Sequence, residues 1–177
     1  MSRIYDVIKG FASSHPSNVA LTFYDSVNGL HTDISYATLV SEVEAFITFL
    51  KEKEYHNIAL FLDNVPEWIF IDLACAKLGV TLTPIPQFFS EEQIMNAIQN
   101  AQIEHIITDS VGRFEGVKYE KKAGFFSPNI TVLTLLNPYK TNVRNGIAKI
   151  TFTSGTSSNA KGVCLTNDNI EKVVFSL

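Results

Sequence analysis

The sequence predicts an α/β fold, organised as three α/β/α layers around a largely parallel sheet, with a small N-terminal β-hairpin. From residue 57 onward, short apolar runs alternate with helical patterns. This alternation is typical of parallel strands joined through helices that cover both faces of a sheet. Before that point, Asn28 and Gly29 separate two strand-like runs. This dipeptide favours a hairpin turn because both residues accept positive φ.

The composition favours one folded domain over residues 1–177, although two small domains would fit the same length. Hydrophobic residues make up 46% of the 177 positions and charged residues 18%, which supplies enough apolar surface for a full core. The formal net charge is −4 and the sequence has no basic stripe, which argues against a nucleic-acid partner. No apolar run in the sequence is long enough for a transmembrane segment.

The cysteines and histidines predict neither a disulfide framework nor a metal site. Cys75 lies in an apolar helical pattern, which is typical of a buried thiol, and Cys164 is far from it in sequence. The four histidines lack the spacing of metal ligands. Because two isolated cysteines fit a reducing environment, we expect a cytoplasmic protein.

Local patterns predict each N-terminal element. Apolar residues at helical spacing predict a helix over residues 3–12, and the runs at 20–24 and 30–34 form the two hairpin strands. Ser35 can cap a second helix by accepting a hydrogen bond from a backbone N–H of its first turn. That helix carries a stripe of apolar residues predicted to face the core: Leu39, Val43, Phe46, Ile47 and Leu50.

Strands and helices then alternate along the chain. The predicted strands lie at 57–62, 80–86, 104–109 and 129–136. Pro66 suits the first turn of a helix that Gly79 ends. Ser90 and Gln93 form a capping box at the start of the next helix. The apolar residues of that helix are Ile94, Ala97, Ile98 and Ala101. Residues 110–128 lack periodicity and are predicted to form a surface excursion.

A strand beginning near residue 147 leads into hydroxyl-bearing and small residues, and the chain returns to an apolar patch at 163–165. The candidate phosphate-binding residues in this stretch are Thr153, Ser154, Gly155, Thr156, Ser157, Lys161 and Gly162. Backbone N–H groups left accessible by glycine, hydroxyl donors and an ammonium all complement phosphate oxygens. The competing interpretation is a serine- and glycine-rich surface turn without a ligand.

A second competing interpretation is the P-loop, whose pattern is G-x-x-x-x-G-K-[ST]. Gly155 and Lys161 have the required separation. Ala160 stands where the second glycine belongs, however, and Gly162 stands where the magnesium-binding Ser or Thr belongs. Because two of the four defining positions differ, the pattern argues against a P-loop NTPase.

Residues 152–169 resemble the phosphate loop of the adenylate-forming superfamily, which includes acyl- and aryl-CoA synthetases and peptide-synthetase adenylation domains. The pattern of that loop is aromatic-Thr-Ser-Gly-Thr-Thr-Gly-x-Pro-Lys-Gly-Val, followed by Leu-Thr-His-x-Asn. The matching positions here are Phe152, Thr153, Ser154, Gly155, Thr156, Lys161, Gly162, Val163, Leu165, Thr166 and Asn169. Weaker similarity reaches upstream through residues 68–94 and the Ser35–Leu39 segment, so it covers nearly the whole chain.

Four positions depart from the family pattern. Ser157 replaces threonine and keeps its hydroxyl, and Asn167 replaces histidine. Ser158 replaces a glycine, which costs about 1–2 kcal/mol if the backbone there requires positive φ. Ala160 replaces a proline and gives up rigidity worth about 0.4–1 kcal/mol. We expect a looser loop with lower nucleotide affinity.

The resemblance implies an enzyme that joins a carboxylic acid to ATP with the help of Mg²⁺, releases pyrophosphate, and passes the acyl group to a thiol of CoA or a carrier protein. It implies that the loop hydroxyls bind the β- and γ-phosphates and that Gly155 and Gly162 let the backbone approach and the loop move. It also implies that Lys161 offsets charge on the leaving pyrophosphate. Neither a catalytic residue nor a metal ligand of the family falls within this sequence.

The last helical pattern starts at Thr166, a candidate cap. It presents an apolar face: Ile170, Val173, Val174 and Leu177. Because this face needs a packing partner, we expect residues 1–177 to be the N-terminal subdomain of a longer ligase whose remaining parts are absent, and to be inactive alone. Two alternatives stay open. The chain could belong to an adenylation domain that loads a carrier protein, or be a nucleotide-binding or interaction module without chemistry.

Overall fold

The computed structural model describes residues 2–25, 28–52, 55–123, 128–136, 138, 146–153 and 161–176. It confirms the predicted α/β class, with a mostly parallel central sheet and a separate two-stranded antiparallel sheet near the N-terminus. The chain divides into two compact units. The first comprises Met1–Glu54 and Asn64–Leu78, and the second comprises Tyr55–Asp63 and Gly79–Leu177.

The first unit contains three helices and a hairpin. Its elements are α1 (Ile4–Ser14), β1 (Val19–Asp25), β2 (Leu30–Ser35), α2 (Tyr36–Lys51) and α3 (Pro66–Leu78). The Ser35 hydroxyl accepts a hydrogen bond from the Thr38 backbone N–H at 3.2 Å, so the predicted cap of α2 is confirmed. The predicted stripe of α2 is buried as well.

The hairpin turn differs from the prediction in one respect. Gly29 takes a positive φ of 67°, whereas Asn28 does not take a positive φ. Asn28 instead donates its side-chain amide to an Asp25 carboxylate oxygen at 2.6 Å, and the Gly29 N–H donates to the Asp25 carbonyl at 2.8 Å. The connection between the strands, residues 26–29, is longer than the two-residue turn that requires positive φ at both positions.

The second unit is built on a seven-stranded sheet. Its strands are β3 (Asn57–Phe61), β4 (Thr81–Pro84), β5 (His105–Thr108), β6 (Tyr119–Ala123), β7 (Thr131–Leu135), β8 (Ile147–Phe152) and β9 (Gly162–Thr166). Their spatial order is β6-β7-β5-β3-β4-β8-β9. The central strands β5, β3, β4 and β8 are parallel, whereas β7, β6 and β9 pair antiparallel at the two edges.

Three further elements complete the second unit: α4 (Glu91–Asn100), a short 3₁₀ helix (Val111–Phe114) and α5 (Asn167–Val174). The predicted capping box is confirmed, because the Ser90 hydroxyl accepts from the Gln93 N–H and the Gln93 side chain accepts from the Ser90 N–H. The core of this unit joins α4 to residues of the sheet. Its apolar members from α4 and its C-terminal end are Ile94, Ala97, Ile98, Ala101 and Ile103.

The edges of this sheet were not predicted. Strand β6 lies inside the predicted surface excursion, and its central residues Glu120 and Lys121 carry charges that mask the strand pattern. β6 and β7 pair antiparallel, from Tyr119 opposite Leu135 to Ala123 opposite Thr131. β7 also pairs antiparallel with β5, whereas the sequence analysis predicted a largely parallel sheet with a surface excursion between these two strands.

Candidate functional site

The candidate phosphate loop begins and ends on one hairpin. β8 and β9 pair antiparallel, with Phe152 opposite Gly162 and Ile150 opposite Cys164. One residue beyond this ladder, the Thr153 backbone N–H donates to the Lys161 carbonyl at 3.2 Å. The apolar patch of the sequence analysis is therefore a strand, and the loop between residues 153 and 161 closes on a hydrogen-bonded stem.

The structure brings three of the seven predicted site residues together at this stem: Thr153, Lys161 and Gly162. Thr153 and Lys161 are both exposed, so the hydroxyl and the ammonium are accessible to a ligand from solvent. The remaining four lie outside the described residues: Ser154, Gly155, Thr156 and Ser157. The two departures from the family pattern within the loop, Ser158 and Ala160, lie outside them too.

The base of the stem is anchored in the core of the second unit. Ile150 and Phe152 are partly buried and pack against the cluster that contains Phe61, Ile85 and Phe89. At the other end of β8, the Thr81 hydroxyl donates to the Ile147 carbonyl at 2.8 Å and ties β8 to β4. A strand packed against the core therefore leads to Thr153 at the surface.

Asn169, a match to the family pattern, has a local structural role. Its side-chain oxygen accepts from the Thr166 backbone N–H at 3.0 Å, and the Thr166 hydroxyl accepts from the Asn169 N–H at 3.2 Å. These reciprocal bonds form a capping box at the start of α5 and satisfy two backbone donors. Sequence analysis predicted Thr166 as the cap and missed its partner, although the Thr-x-x-Asn spacing was visible.

The described donors suit an anion rather than a cation. The Lys161 ammonium and the Thr153 hydroxyl flank the loop, and both residues are exposed. At the adjacent Gly162, a Cβ would be in close contact with Ile150. Where the structure describes the chain, no group of three or more His, Cys, Asp or Glu side chains could hold a metal ion. The donor set at the stem therefore fits phosphate oxygens, and Mg²⁺ finds no cluster of ligands among these residues.

The two cysteines differ in environment. Cys75 is buried, as predicted, and Cys164 is exposed on β9. Both are free thiols. Among the helices of the described ranges, none combines the length and the apolar character needed to cross a membrane.

A comparison with known families shows the family of this chain. The sequence profile of the AMP-binding enzyme family matches residues 8–177. The chain belongs to this family. Its hydroxyl- and glycine-rich stretch is thus part of an AMP-binding enzyme sequence, and neither the P-loop nor an unrelated surface turn accounts for a match over nearly the whole chain.

Curated members of the AMP-binding family are similar to this chain at moderate identity. The crotonobetaine/carnitine–CoA ligase of Salmonella paratyphi A is 26% identical over 185 residues. The alignment covers 90% of this chain and 35% of the ligase. The chain thus spans about a third of the length of the curated relatives that it matches.

Solved structures share the fold. O-succinylbenzoate coenzyme A synthetase from Bacillus subtilis, solved in complex with AMP, superposes with a TM-score of 0.68 at 18% identity, covering 96% of this chain and 44% of that one. A fatty acyl-adenylate ligase from L. pneumophila, solved with acyl adenylate and pyrophosphate, superposes with a TM-score of 0.68 at 18% identity. The superposition covers 97% of this chain and 32% of that one. Both establish the fold of an AMP-binding enzyme for this chain.

Proposed function

We propose that residues 1–177 are the N-terminal, ATP-binding subdomain of a longer acid–thiol ligase. The complete enzyme forms an acyl-adenylate from a carboxylic acid and ATP, and then transfers the acyl group to the thiol of CoA. The observation that carries the proposal is the β8–β9 stem, which gathers Thr153, Lys161 and Gly162 in a chain matched by the AMP-binding family. A cytoplasmic location follows from the free thiols and from the substrates of such an enzyme.

The choice of CoA as the acceptor rests on relatives. The first curated relative is a CoA ligase whose acids are crotonobetaine and carnitine, and a structural neighbour is an O-succinylbenzoate coenzyme A synthetase. Another neighbour is a fatty acyl-adenylate ligase, which supports a carboxylic acid without naming one. The alternative acceptor is a carrier-protein thiol.

In this proposal the loop binds and positions the triphosphate. The Lys161 ammonium neutralises charge on the β- and γ-phosphates as pyrophosphate leaves, and the hydroxyls of Thr153, Ser154, Thr156 and Ser157 donate hydrogen bonds to the same oxygens. Gly155 and Gly162 admit the backbone to the phosphates. Mg²⁺ supplies further charge neutralisation when it is bound with ATP. Catalysis of this kind depends on positioning and electrostatics rather than on a protein nucleophile, and we assign no catalytic residue to this chain.

The experiment is pyrophosphate exchange into ATP by the full-length protein, measured across a panel of carboxylic acids. We expect exchange that depends on the acid, and thioester formation when CoA is added. Exchange followed by acyl transfer only to a carrier protein would select the alternative acceptor. A full-length protein that binds MgATP yet exchanges with none of the acids would instead be a nucleotide-binding module, and the proposed reaction would be wrong.

A further inference from the structure

The loop stem contains one contact that the family resemblance does not explain. Gly162 lies directly opposite Phe152 in the antiparallel ladder, so a side chain at this position would share the face that carries Phe152 and Ile150. A Cβ built there would lie 3.1 Å from Ile150 Cγ2 and 3.4 Å from Phe152 Cε1 and Cζ. At Gly162, the backbone of β9 therefore lies directly against the side chains of Ile150 and Phe152.

Close approach, rather than backbone conformation, therefore requires glycine here. The glycines with positive φ in the described ranges are Gly29, Gly79 and Gly146, and Gly162 is not among them. A Cβ at Gly112 or Gly116 would meet nothing within 4 Å. In strands, glycine is typical of sites where a neighbouring group approaches the backbone closely.

The neighbours of Gly162 have little freedom to move away. Both Ile150 and Phe152 pack against the core cluster of the second unit, and close-packed side chains transmit strain instead of absorbing it. An added methyl group requires a shift of a few tenths of an ångström, and the packing of Ile150 and Phe152 directs this shift to β9. Next to the Phe152–Gly162 pair, the Thr153 backbone N–H donates a hydrogen bond to the Lys161 carbonyl at 3.2 Å.

We infer that Gly162 is a positioning residue for Lys161: by carrying no side chain, it lets β9 lie on Ile150 and Phe152, and this contact sets where the stem presents the ammonium to phosphate. The inference rests on the proposed function and deepens it. It assigns to Gly162 a fixed contact between the stem and the core, in place of the expected role in loop movement.

The test uses the full-length protein and two measurements: hydrogen exchange of the Thr153 amide, and the dissociation constant for MgATP from a calorimetric titration. Gly162→Ala adds the clashing methyl group. Gly116→Ala adds the same methyl group where it meets nothing within 4 Å, and is the matched control. Ile150→Ala combined with Gly162→Ala removes the nearest clashing atom. Lys161→Gln reports independently on phosphate binding.

We expect Gly162→Ala to speed hydrogen exchange of the Thr153 amide. It should weaken MgATP binding by roughly threefold, which is less than the roughly tenfold loss expected when Lys161→Gln removes the ammonium itself. The double variant should recover both values in part, because the two substitutions act on one contact. It also keeps the test decisive if Gly162→Ala alone disrupts β9. Gly116→Ala should match the unsubstituted chain.

Two results would overturn the inference, and they are distinguishable. If Lys161→Gln weakens MgATP binding while Gly162→Ala changes neither measurement, the positioning role is wrong and the phosphate loop stands. If the full-length protein binds no MgATP, or if Lys161→Gln leaves its affinity unchanged, then the proposed function fails and the positioning role fails with it.

Discussion

The hydroxyl of Tyr5 donates a hydrogen bond to Glu44 Oε1 at 2.8 Å, and the Lys9 ammonium contacts the same oxygen at 2.5 Å. Tyr5 lies on α1 and is 1% exposed, whereas Glu44 lies on α2. Burial, followed by the bond to Glu44, raises the pKa of Tyr5. The N-terminal helix is therefore attached to α2 through a buried phenol with a charged acceptor.

Tyr5→Phe should lower the free energy of unfolding by about 1–2 kcal/mol, because it removes a bond to a charged acceptor while keeping the buried ring. Urea unfolding monitored by circular dichroism would measure the change. Tyr24→Phe is the matched control, since Tyr24 is 53% exposed, and it should stay within about 0.5 kcal/mol of the unsubstituted protein. Equal effects of the two substitutions would contradict the role assigned to the Tyr5 hydroxyl.

Glu44 should make stability depend on pH on the acid side. The hydrogen bond from Lys9, followed by the one from Tyr5, lowers the pKa of Glu44 in the folded chain. A carboxyl group with a lowered folded pKa contributes stability that is present above its unfolded pKa and lost as pH falls through its folded pKa. We expect Glu44→Gln to lose less stability than the unsubstituted protein between about pH 5 and pH 3.

The measurement is the urea midpoint as a function of pH. Glu42→Gln removes the same charge from the same helix and should keep the original pH dependence. A Glu44→Gln profile parallel to that of the unsubstituted protein would exclude this carboxylate as a source of the acid sensitivity.

Asn57 should be important for the stability of the second unit. It is 2% exposed at the start of β3, and its side-chain amide donates to the carbonyls of Ala101 and Gln102 at the end of α4. Gln102 has a positive φ of 54°, so the amide holds an unusual turn in place. Asn57→Ala leaves two carbonyls without this donor and should cost about 2–3 kcal/mol, measured by chemical unfolding.

Asn100→Ala is the control for this substitution, because Asn100 is exposed on the last turn of α4. It should change the unfolding free energy by less than about 0.5 kcal/mol. A similar loss for both variants would mean that the truncated amide, rather than its bonds to the turn, determines the result.

Lys161→Gln tests the phosphate loop directly. We expect the affinity of the full-length protein for MgATP to fall by about tenfold, as is typical for the loss of a hydrogen bond between charged groups. Calorimetric or NMR titration would measure it. Lys118→Gln removes an equivalent charge from an exposed site on a different part of the second unit and should leave the affinity unchanged. Equal losses for both variants would indicate a general charge effect in place of a specific site.

The family and the fold class could be predicted from the sequence because both depend on local signals. Ser35, Ser90 and Thr166 were each predicted as helix caps, and each accepts the expected backbone hydrogen bond. A cap involves residues three apart, so no tertiary contact is needed to recognise it. The family motif at residues 152–169 could be recognised for the same reason, since its residues are contiguous.

The edges of the sheet depend on longer-range pairing. β6 has a charged centre that predicts a loop, and it exists as a strand because β7 offers a hydrogen-bonding partner. The direction of β7, antiparallel to both β5 and β6, could not be read from its own apolar residues. In the same way, the turn at Asn28 depended on the length of the connection between β1 and β2.

The sequence by itself determined that this chain is an α/β protein of the AMP-binding family, because periodicity, caps and a contiguous motif are local properties. Only the tertiary structure decided why the motif needs glycine at position 162. The reason is a distance of 3.1 Å to a side chain twelve residues earlier, on the neighbouring strand. Whether that distance exists depends on the register of β8 and β9, which local sequence patterns do not encode.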